Sequence, residues 1–343
     1  MHLREYYTKR LRGEGMCTAI AFETNDHYFG RNLDLEYSYY ESVTVMPRNY
    51  PLALRDAKPL KNHFALIGMA YVVDGYPLFY DAINEKGLGM AGLSFPENAC
   101  YYERREDAEN IASFELIPYI LGKCENVDEA EKILTEVNVS KEAFSKELPP
   151  SPLHWMITDK KRSIVVECTK AGMRIYPNPT GVLTNNPSFP QQLFALNNYM
   201  SLSKELPVNS FSPRLSLCAY SRGMGALGLP GDLSSMSRFV RACFVKENTV
   251  CGNGETESVS QVFHILGAVE QQRGVVALSS KEGDMYEITV YSSCCNLDKG
   301  IYYYKTYDNS QICAVDMHKE NLDGQSIISY ALQKIPQIKW QNR

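Results

Sequence analysis

The stretch MCTAIAFET (residues 16–24), followed closely by FGRNLD (residues 29–34), decides the fold of this chain. The first stretch alternates small or polar side chains with apolar ones, a pattern that predicts a β-strand. Asn25 and Asp26 form a turn pair, and the residues from His27 onward predict the returning strand. The sequence therefore predicts an N-terminal β-hairpin.

Cys17 has a positional reason to be reactive. We interpret Met16, and not Met1, as the working start of the protein, so that removal of Met16 leaves Cys17 with both a thiol and a free α-amine. An N-terminal amine has an ordinary pKa of about 8 and a thiol about 8.5, so a proton can pass between them near neutral pH. One residue would then supply a nucleophile and its base.

Two charged residues of the second stretch are expected beside Cys17, because a short hairpin brings Arg31 and Asp34 back to the start of the first strand. Arg31 would lower the pKa of the thiol by its charge, and Asp34 would hold the terminal amine in place. The alternative interpretation is an ordinary hairpin with a surface Arg–Asp pair and a buried cysteine.

The first fifteen residues, MHLREYYTKRLRGEG, are basic and contain no apolar core, so they do not resemble a secretory signal. Gly and Glu codons begin with GG or GA, so residues 12–15 must be encoded by purine-rich sequence just before the Met16 codon. A bacterial ribosome-binding site looks like this when it is translated in frame. We therefore expect residues 1–16 to be an upstream extension or a removable leader; the alternative is a genuine N-terminal arm.

Composition argues against several classes of function. The chain has 343 residues, of which 44% are hydrophobic and 22% charged, as is ordinary for a globular protein. Its net charge of −5 argues against a nucleic-acid-binding protein, which usually carries a basic stripe. No apolar run approaches the length of about 20 residues that spans a bilayer.

The ten cysteines are scattered through the chain and form no CxxC pair, which argues against a zinc site. Single cysteines in a chain of this length are typical of free thiols in a reducing cytosol. We therefore expect a cytoplasmic protein that needs no metal, in which most cysteines other than Cys17 fill the core.

Predicted strands fall into two groups separated by predicted helices, without the alternating rhythm of a doubly wound sheet. This pattern favours an α+β fold built from stacked layers. The segments with helical apolar spacing are 112–124, 127–137, 235–246 and 258–269. The main strands predicted after the hairpin are 42–46, 64–73, 88–95, 154–158, 163–168, 173–176, 285–293, 301–307 and 311–316. Residues 188–222 are a long, weakly patterned excursion.

The segment GMGALG (residues 223–228) matches the GxGxxG pattern of nucleotide-binding loops. No convincing strand precedes it, and Leu229-Pro230-Gly231 follows where a nucleotide-binding helix would already be running. We therefore interpret this segment as a loop rather than a nucleotide site.

Taken in order along the chain, several stretches resemble the choloylglycine hydrolases, the family of bile salt hydrolases and penicillin V acylases. They are MCTAIAFET and FGRNLDLEYSY at the start, MPRNY (46–50), NEKGLGMAGLSFPENA (84–99), LHWMITD (153–159), GVLTNNPSF (181–189), GLPGDLSSMSRF (228–239) and KGIYYYKTYDN (299–309). The tyrosines of the last stretch are more similar to the bile salt hydrolase branch.

This resemblance implies a four-layer αββα sandwich with an N-terminal nucleophile at the end of a strand. Residues 17–330 would form a single domain, followed by a tail at 331–343. The resemblance also implies a homotetramer, with residues 188–222 as an assembly element, and a reaction that requires no metal or organic cofactor.

The resemblance assigns roles to three further residues. The side-chain amide of Asn185 and the backbone N–H of Ser94 would stabilise an oxyanion, and Arg238 would be a second guanidinium near Cys17. Ser94 departs from the family, in which bile salt hydrolases usually carry Asn and penicillin V acylases carry Tyr. From spacing alone, Asn185 is an ordinary turn residue and Arg238 an ion-paired arginine on a helix surface.

Seven apolar residues are candidates for a pocket of steroid size. They are Leu33, Tyr37, Val72, Val73, Tyr80, Phe144 and Leu148. Each could instead belong to the core. Phe144 and Leu148, which lie in a proline-rich segment without strong patterning, are the better candidates.

Together these features predict an amidase that cleaves the bond between a bile acid and glycine or taurine through a Cys17 thioester. Amines could also intercept the thioester, so acyl transfer is an expected side activity. The alternatives are a penicillin V acylase and, if Cys17 is not freed, a non-catalytic bile-acid-binding protein. No nucleic acid or membrane partner is expected.

Overall fold

Two large antiparallel sheets, stacked face to face, organise the chain. The computed structural model describes residues 15–278 and 285–342. The predicted leader therefore lies outside the described residues, except for Gly15 and Met16 at its end. The predicted hairpin lies at the centre of the first sheet.

The hairpin consists of β1 (Cys17–Glu23) and β2 (His27–Leu35), paired antiparallel with Cys17 opposite Leu33. This confirms the hairpin predicted from the sequence. Nearly every side chain of both strands is buried, although neighbouring residues point to opposite faces. Both faces of this part of the sheet are therefore covered.

The first sheet is completed by strands from the C-terminal half of the chain. Within the described residues they are β12 (Val182–Leu183), β13 (Val276–Leu278), β14 (Met285–Asn296), β15 (Ile301–Thr306) and β16 (Cys313–Asp316). The spatial order is β12, β1, β2, β14, β15 and β16, and β13 pairs with the first residues of β14.

The second sheet has eight strands among the described residues, and all of its pairings are antiparallel. In spatial order they are β11 (Gly172–Pro177), β10 (Ser163–Thr169), β9 (Leu153–Thr158), β6 (Gly89–Ser94), β5 (Tyr76–Asn84), β4 (Leu66–Val73), β3 (Ser42–Met46) and β17 (Ile328–Ala331). A separate parallel pair is formed by β7 (Glu109–Ala112) and β8 (Val137–Ser140).

Helices cover the outer face of each sheet. In the described part of the chain the α-helices are α1 (Leu116–Lys123), α2 (Val127–Leu134), α3 (Phe189–Ala195), α4 (Ser235–Asn248) and α5 (Glu255–Gly267). Helices α4 and α5 pack on the first sheet, α1 packs on the second, and the sheets meet through β1 and β6. The architecture is the α+β, four-layer αββα sandwich that the sequence predicts.

Strand β4 shows how the second sheet separates two cores. Ile67 and Met69 belong to the core between the sheets, whereas Leu66 and Ala70 belong to the core beneath α1. A strand covered on both faces needs apolar residues at consecutive positions. This explains why residues 64–73 are apolar throughout, although they form only one strand.

Two helices are shorter than their apolar spacing predicts. The helix predicted at 112–124 begins only at Leu116, because Ser113–Glu115 form a 3₁₀ turn. The helix predicted at 127–137 ends at Leu134, since the chain then enters β8 and pairs with β7. In both cases a long-range strand pairing next to the helix overrides local propensity.

Local signals are otherwise good guides. The predicted cap of α2 is confirmed, because the side chain of Asn126 accepts a hydrogen bond from the backbone N–H of Glu129 over 3.0 Å. Strands β9, β10 and β11 form the predicted antiparallel meander. The short strands β7, β8, β13 and β17, three or four residues long, are not identified from the sequence.

The ten cysteines all lie in the described residues and are free thiols. Across residues 15–278 and 285–342, no group of three or more His, Cys, Asp or Glu side chains is placed to hold a metal ion. No helix in these two ranges combines the length and the apolarity that crossing a membrane demands.

Candidate active site

Cys17 is the first residue of β1 and only 3% of its surface is exposed. Its backbone N–H donates to Oδ1 of Asn185 over 2.9 Å. The preceding carbonyl, of Met16, accepts from the backbone N–H of Asp34 over 2.9 Å. Hydrogen bonds thus fix the peptide group that would be cut to free Cys17.

The side chain of Arg31 reaches the thiol directly. Its Nη2 lies 2.7 Å from Sγ of Cys17, and its Nη1 donates to the carbonyls of Tyr80 and Gly92 over 3.0 and 2.8 Å. Burial raises the pKa of the Cys17 thiol, and the charge of Arg31 is the strongest of the effects that lower it. Arg31 is therefore placed to favour the thiolate.

The Asp81 carboxylate forms an ion pair with the Arg31 guanidinium. Sequence analysis did not identify Asp81 as a site residue. One of its oxygens lies 3.9 Å from Nε of Arg31. Tyr291 and Tyr302 each donate a hydrogen bond of 2.6 Å to this carboxylate, one to each oxygen. Burial raises the pKa of Asp81, while Arg31 and the two phenols act in the opposite direction. No local signal could reveal this cluster, because the tyrosines lie more than 200 positions away.

Arg238 is completely buried on α4 and is not the helix-surface arginine that spacing alone would allow. Its Nη1 donates to the Cys17 carbonyl and to Oγ1 of Thr18, each over 2.6 Å. Its Nη2 donates to Oδ1 of Asn185, also over 2.6 Å. Burial lowers the pKa of this guanidinium, and the nearby Asp34 carboxylate opposes that effect.

These contacts determine the orientation of the Asn185 amide. Arginine can only donate, so the atom that faces Arg238 must be the amide oxygen. The amide nitrogen then points to the second sheet, where it donates to the Ser94 carbonyl over 2.7 Å. That bond uses one of its two hydrogens. A hydrogen bond from the backbone of Ser94 is among the effects that lower the pKa of Cys17, so the backbone N–H of Ser94 lies beside the thiol.

The Asp34 carboxylate lies on the same side of Cys17 as Arg238. Oδ1 accepts from the hydroxyl of Thr289 over 2.6 Å, and Oδ2 lies 3.9 Å from Nη1 of Arg238. Among the described residues, Oδ2 has no hydrogen-bond partner although it is buried. Burial raises the pKa of Asp34 to about 6.

Glu287, at the start of β14, is a further buried acid that sequence analysis missed. Its Oε1 accepts a hydrogen bond from the backbone N–H of Met16. Burial raises the pKa of Glu287 to about 8, and the contact with Met16 opposes this shift. The residue that precedes Cys17 is thus held by β2 through its carbonyl and by β14 through its N–H.

A cleft of about 200 Å³ opens beside Cys17 and Arg31. Four of the seven predicted pocket residues line it. They are Leu33, Tyr80, Phe144 and Leu148. Phe144 packs edge to face on Phe114 with ring centroids 5.3 Å apart, and Phe114 also lines the cleft. Part of the cleft wall is therefore aromatic.

The other three predicted pocket residues, Tyr37, Val72 and Val73, are not among the residues that line the cleft. Tyr71 is the residue of β4 that lines the cleft. Where β4 pairs with β5, Met69 lies opposite Asp81 and Ala70 opposite Phe79, so β5 has an extra residue, Tyr80, which also lines the cleft. Tyr37 packs instead against the ring of Tyr39, which does line the cleft. A bulge changes which side chains face a given side, and the sequence gives no sign of it.

The GxGxxG match at residues 223–228 lies in an exposed loop. Met224–Ala226 form a single 3₁₀ turn, with Gly223 and Gly228 at positive φ on either side. No strand leads into this segment and no α-helix begins at it. The loop interpretation therefore agrees with the structure.

An αββα sandwich with a buried cysteine at the start of a central strand is the architecture of the N-terminal-nucleophile hydrolases. A family model described as linear amide C–N hydrolases, choloylglycine hydrolase family, matches residues 17–330, and the chain belongs to this family.

Relatives of known name span almost the whole chain. It is 54% identical to a bile salt hydrolase/transferase of Lactiplantibacillus plantarum over 318 residues, which are 93% of this chain and 97% of the relative. It is 40% identical to a bile salt hydrolase/transferase of Clostridium perfringens over 95% of this chain and 100% of the relative.

Solved structures agree with this assignment. A variant of the conjugated bile acid hydrolase from Clostridium perfringens has a TM-score of 0.86 at 38% identity, covering 95% of this chain and 100% of that one. The penicillin V acylase from Agrobacterium tumefaciens has a TM-score of 0.69 at 20% identity, covering 93% and 92%. The second similarity shows the fold alone.

Proposed function

We propose that this chain hydrolyses the amide bond between a bile acid and glycine or taurine, with Cys17 as the nucleophile. The observation that carries the proposal is the 2.7 Å contact between Arg31 Nη2 and Cys17 Sγ at one end of an apolar cleft. The names of the relatives, bile salt hydrolase and conjugated bile acid hydrolase, support the choice of substrate.

Removal of Met16 is part of the proposal. As a peptide nitrogen, N of Cys17 has one hydrogen, which it donates to Asn185. As a free ammonium it has three, and Oδ2 of Asp34 is a buried acceptor that lacks a partner in the described chain. A freed ammonium would satisfy Asp34 and retain the bond to Asn185.

The reaction then proceeds in two steps. Sγ of Cys17 attacks the amide carbon, its proton passes to the α-amine, and the resulting ammonium protonates the departing nitrogen of glycine or taurine. The acyl group is left as a thioester on Sγ. The α-amine next takes a proton from a water molecule, whose oxygen attacks the thioester carbon. The bond from this carbon to Sγ breaks, the ammonium returns its proton to Sγ, and the bile acid is released.

Two donors would stabilise the negative oxygen formed in each step. They are the backbone N–H of Ser94 and the second amide hydrogen of Asn185. The Arg238 contact supports this role, because it prevents the amide from turning its oxygen towards the substrate. Each such donor contributes about 3 kcal/mol to lowering the barrier.

The apolar lining of the cleft would supply most of the binding energy. Burying about 150 Å² of a steroid face contributes roughly 4 kcal/mol. Leu33 and Tyr80 lie near Arg31, whereas Phe144 and Leu148 line the wall that belongs to the 141–152 segment. A bile acid could therefore lie along the cleft with its carboxamide at Cys17.

A competition assay tests the proposal. The purified chain is given taurocholate, glycocholate and penicillin V together, and the released taurine, glycine and 6-aminopenicillanic acid are measured. We expect both bile salts to be hydrolysed faster than penicillin V. Faster turnover of penicillin V would contradict the substrate, and binding of taurocholate without any release would indicate a non-catalytic bile-acid-binding protein.

The excursion at residues 188–222, which begins with α3, carries exposed apolar side chains. They include Met200 (86% exposed), Phe211 (83%) and Tyr220 (83%). We propose that residues 188–222 form subunit contacts in a homotetramer, because a single chain rarely exposes so many apolar groups together. Light scattering should give four times the chain mass. Replacing Phe211 and Tyr220 by Ser should give smaller species, and an unchanged tetramer would contradict this role.

We also propose that the protein is cytoplasmic, and the ten free cysteines support a reducing compartment. Cell fractionation of the natural host tests this directly. Activity should follow a cytoplasmic marker, and activity found mainly in the medium would contradict the location.

A further inference from the structure

The two proposed oxyanion donors belong to different sheets. Ser94 ends β6 of the second sheet, and Asn185 lies two residues beyond β12 of the first. No strand pairing joins them, so backbone hydrogen bonds within a sheet cannot fix the distance between them. The bond from Asn185 to the Ser94 carbonyl spans this gap at the surface of the site.

A second bridge lies directly behind that bond. His154 is on β9, paired with the residue just before Ser94, and it is fully buried. Its ring stacks on Phe95, the residue just after Ser94, with centroids 4.3 Å apart and planes 5° apart. Its Nε2 lies 2.9 Å from the carbonyl oxygen of Thr184, the residue just before Asn185. One imidazole thus contacts the neighbours of both donors.

The partners of His154 determine its protons. The Thr184 carbonyl can only accept, so Nε2 must carry a hydrogen. Nδ1 lies 3.3 Å from Oε1 of Glu167, and that oxygen also accepts the backbone N–H of Phe189 over 2.8 Å. An ionised carboxylate can only accept, so Nδ1 carries a hydrogen as well, unless Glu167 itself holds that proton. Either way the pair is neutral overall and shares one proton.

Stability does not explain why this pair is present. Glu167 is buried, and its second oxygen has no hydrogen-bond partner among the described residues. Apolar residues of similar volume often replace a buried ion pair without loss of stability. The contacts of the pair instead converge on the site, because Glu167 also holds the first residue of α3, directly after the Asn185 turn.

We propose that His154 and Glu167 are positioning residues that set the separation of the Ser94 and Asn185 donors. This inference rests on the proposed function of the same site. The imidazole acts as a rigid spacer. Its face stacks on Phe95, its Nε2–H donates to the Thr184 carbonyl, and its Nδ1 shares a proton with Glu167. Neither side chain contacts the substrate.

Glu167→Gln is the most informative substitution. A neutral glutamine does not balance an imidazolium, and beside a neutral imidazole the atom at the Oε1 position cannot both donate to Nδ1 and accept from the N–H of Phe189, so one of these two contacts is lost. We expect kcat for taurocholate to fall at least about 10-fold, since misplacing an oxyanion donor loses much of its effect. KM should change by less than about twofold, because the apolar cleft is untouched.

The matched histidine pair is His154→Gln and His27→Gln. His27 is also buried, at the start of β2, and its ring nitrogens have no hydrogen-bond partner among the described residues. His154→Gln should reproduce the loss of kcat, whereas His27→Gln should leave kcat unchanged. Equal losses in both variants would show that any buried histidine matters equally and would overturn the proposal.

Two further measurements separate positioning from a merely structural role. Alkylation of Cys17 by iodoacetamide should be as fast in Glu167→Gln as in the unsubstituted chain. The C24 aldehyde analogue of cholic acid adds to the thiol to give a hemithioacetal, whose oxygen occupies the oxyanion position. Its affinity should fall by the same factor as kcat, while the affinity for free cholate should stay the same.

The double variant His154→Phe/Glu167→Leu covers the case in which a single variant fails to fold. It keeps the ring stack and the buried volume but removes both polar groups. We expect a folded chain with low kcat; wild-type kcat would overturn the proposal. If the unsubstituted chain releases neither taurine nor glycine, the proposed function fails and this inference fails with it. Hydrolysis that all of these variants retain would overturn the positioning role alone.

Discussion

Cys17 lies between two buried polar clusters, each of which contains a carboxylate. The clusters differ in whether both carboxylate oxygens have a hydrogen-bond partner. The sulfur side consists of Arg31, Asp81, Tyr291 and Tyr302. The amine side consists of Asp34, Asn185, Arg238 and Thr289. On the sulfur side, each oxygen of Asp81 accepts a tyrosine hydroxyl and Arg31 reaches Sγ. On the amine side, Oδ2 of Asp34 lacks a hydrogen-bond partner among the described residues.

The difference indicates which half of the site already has its working arrangement while Met16 is attached. On the sulfur side both carboxylate oxygens of Asp81 accept hydrogen bonds. On the amine side no donor of the described chain lies within hydrogen-bond distance of Asp34 Oδ2, although the nearby side chain of Gln271 helps to lower the pKa of this carboxyl. The proposed function supplies a donor as the freed α-ammonium of Cys17. Loss of the Arg31 charge on the sulfur side should therefore slow the reaction of the thiol. Loss of the Asp34 charge on the amine side should reduce hydrolysis without slowing the thiol, because Asp34 raises the pKa of Cys17.

Cys17→Ala affects both sides and should have the largest effect. Without a nucleophile, taurine release from taurocholate should fall at least about 10⁴-fold. Cys243→Ala is the matched control, because Cys243 is another buried cysteine but lies in the core on α4. It should keep hydrolysis within about twofold. Substantial hydrolysis by Cys17→Ala would exclude the thioester route.

Asp34→Asn tests the amine side alone. The neutral amide does not stabilise the α-ammonium, so the α-amine becomes a weaker base for the thiol proton and for water, and kcat should fall about 100-fold. The rate of Cys17 alkylation at pH 7 should not fall, since Arg31 still contacts Sγ. A loss of alkylation in step with kcat would remove the distinction between the two sides.

Arg31→Gln tests the sulfur side. Arg31 is the strongest influence that lowers the pKa of Cys17, so its removal raises that pKa further. Alkylation depends on the thiolate, so its rate should rise with pH in both proteins, and the curve of the variant should lie at higher pH. At pH 7 the variant should therefore react more slowly than the unsubstituted chain.

Loss of Arg31 also leaves Asp81 buried without its cation, which by itself destabilises the fold. The double variant Arg31→Gln/Asp81→Asn removes both charges and should recover part of that stability in a thermal melt. Its alkylation should remain slow. Recovery of fast alkylation in the double variant would show that Arg31 acts on the fold and not on the thiol.

Of these substitutions, Glu287→Gln should have the smallest effect. It should change the pH dependence of the free energy of unfolding. The pKa of Glu287 is raised to about 8 by burial, so the folded chain holds a proton that the unfolded chain releases above about pH 4.5. The stability contribution of this proton is therefore complete below pH 4.5 and is lost as pH rises towards 8.

Replacing Glu287 by Gln should remove its share of the decline, which we expect to be on the order of 1 kcal/mol between pH 5 and 7. The share of Asp34, whose pKa is raised to about 6, should remain. Urea unfolding at the two pH values measures the decline. Glu23→Gln, an exposed position at the end of β1, is the control and should keep the decline.

Sequence reasoning predicts the sulfur contact because it is local. Arg31 and Cys17 belong to one hairpin whose turn is only a few residues long, so their proximity follows from the strand pattern. The other acid–base partners are not local. Asp81, Thr289 and Glu287 come to the site on β5 and β14, and nothing in the spacing of a single chain relates those strands to Cys17.

The residues that line the cleft show the same limit of sequence-based prediction at the level of single side chains. The residues on the proline-rich segment, Phe144 and Leu148, line it as predicted, whereas Val72 and Val73 do not. An apolar strand buried on both faces, such as β4, gives no alternation from which to choose the side chains that face the cleft. The fold class needs only the pattern of elements, so it can be predicted where individual facing residues cannot.

The most direct test of the central claim is the N-terminal residue of the active protein, read by Edman degradation and by intact mass on enzyme expressed from its own gene. The account predicts Cys17 as the first residue, with an unmodified α-amine, in all molecules that release taurine from taurocholate. Active enzyme in which Cys17 is still joined to Met16 would contradict it.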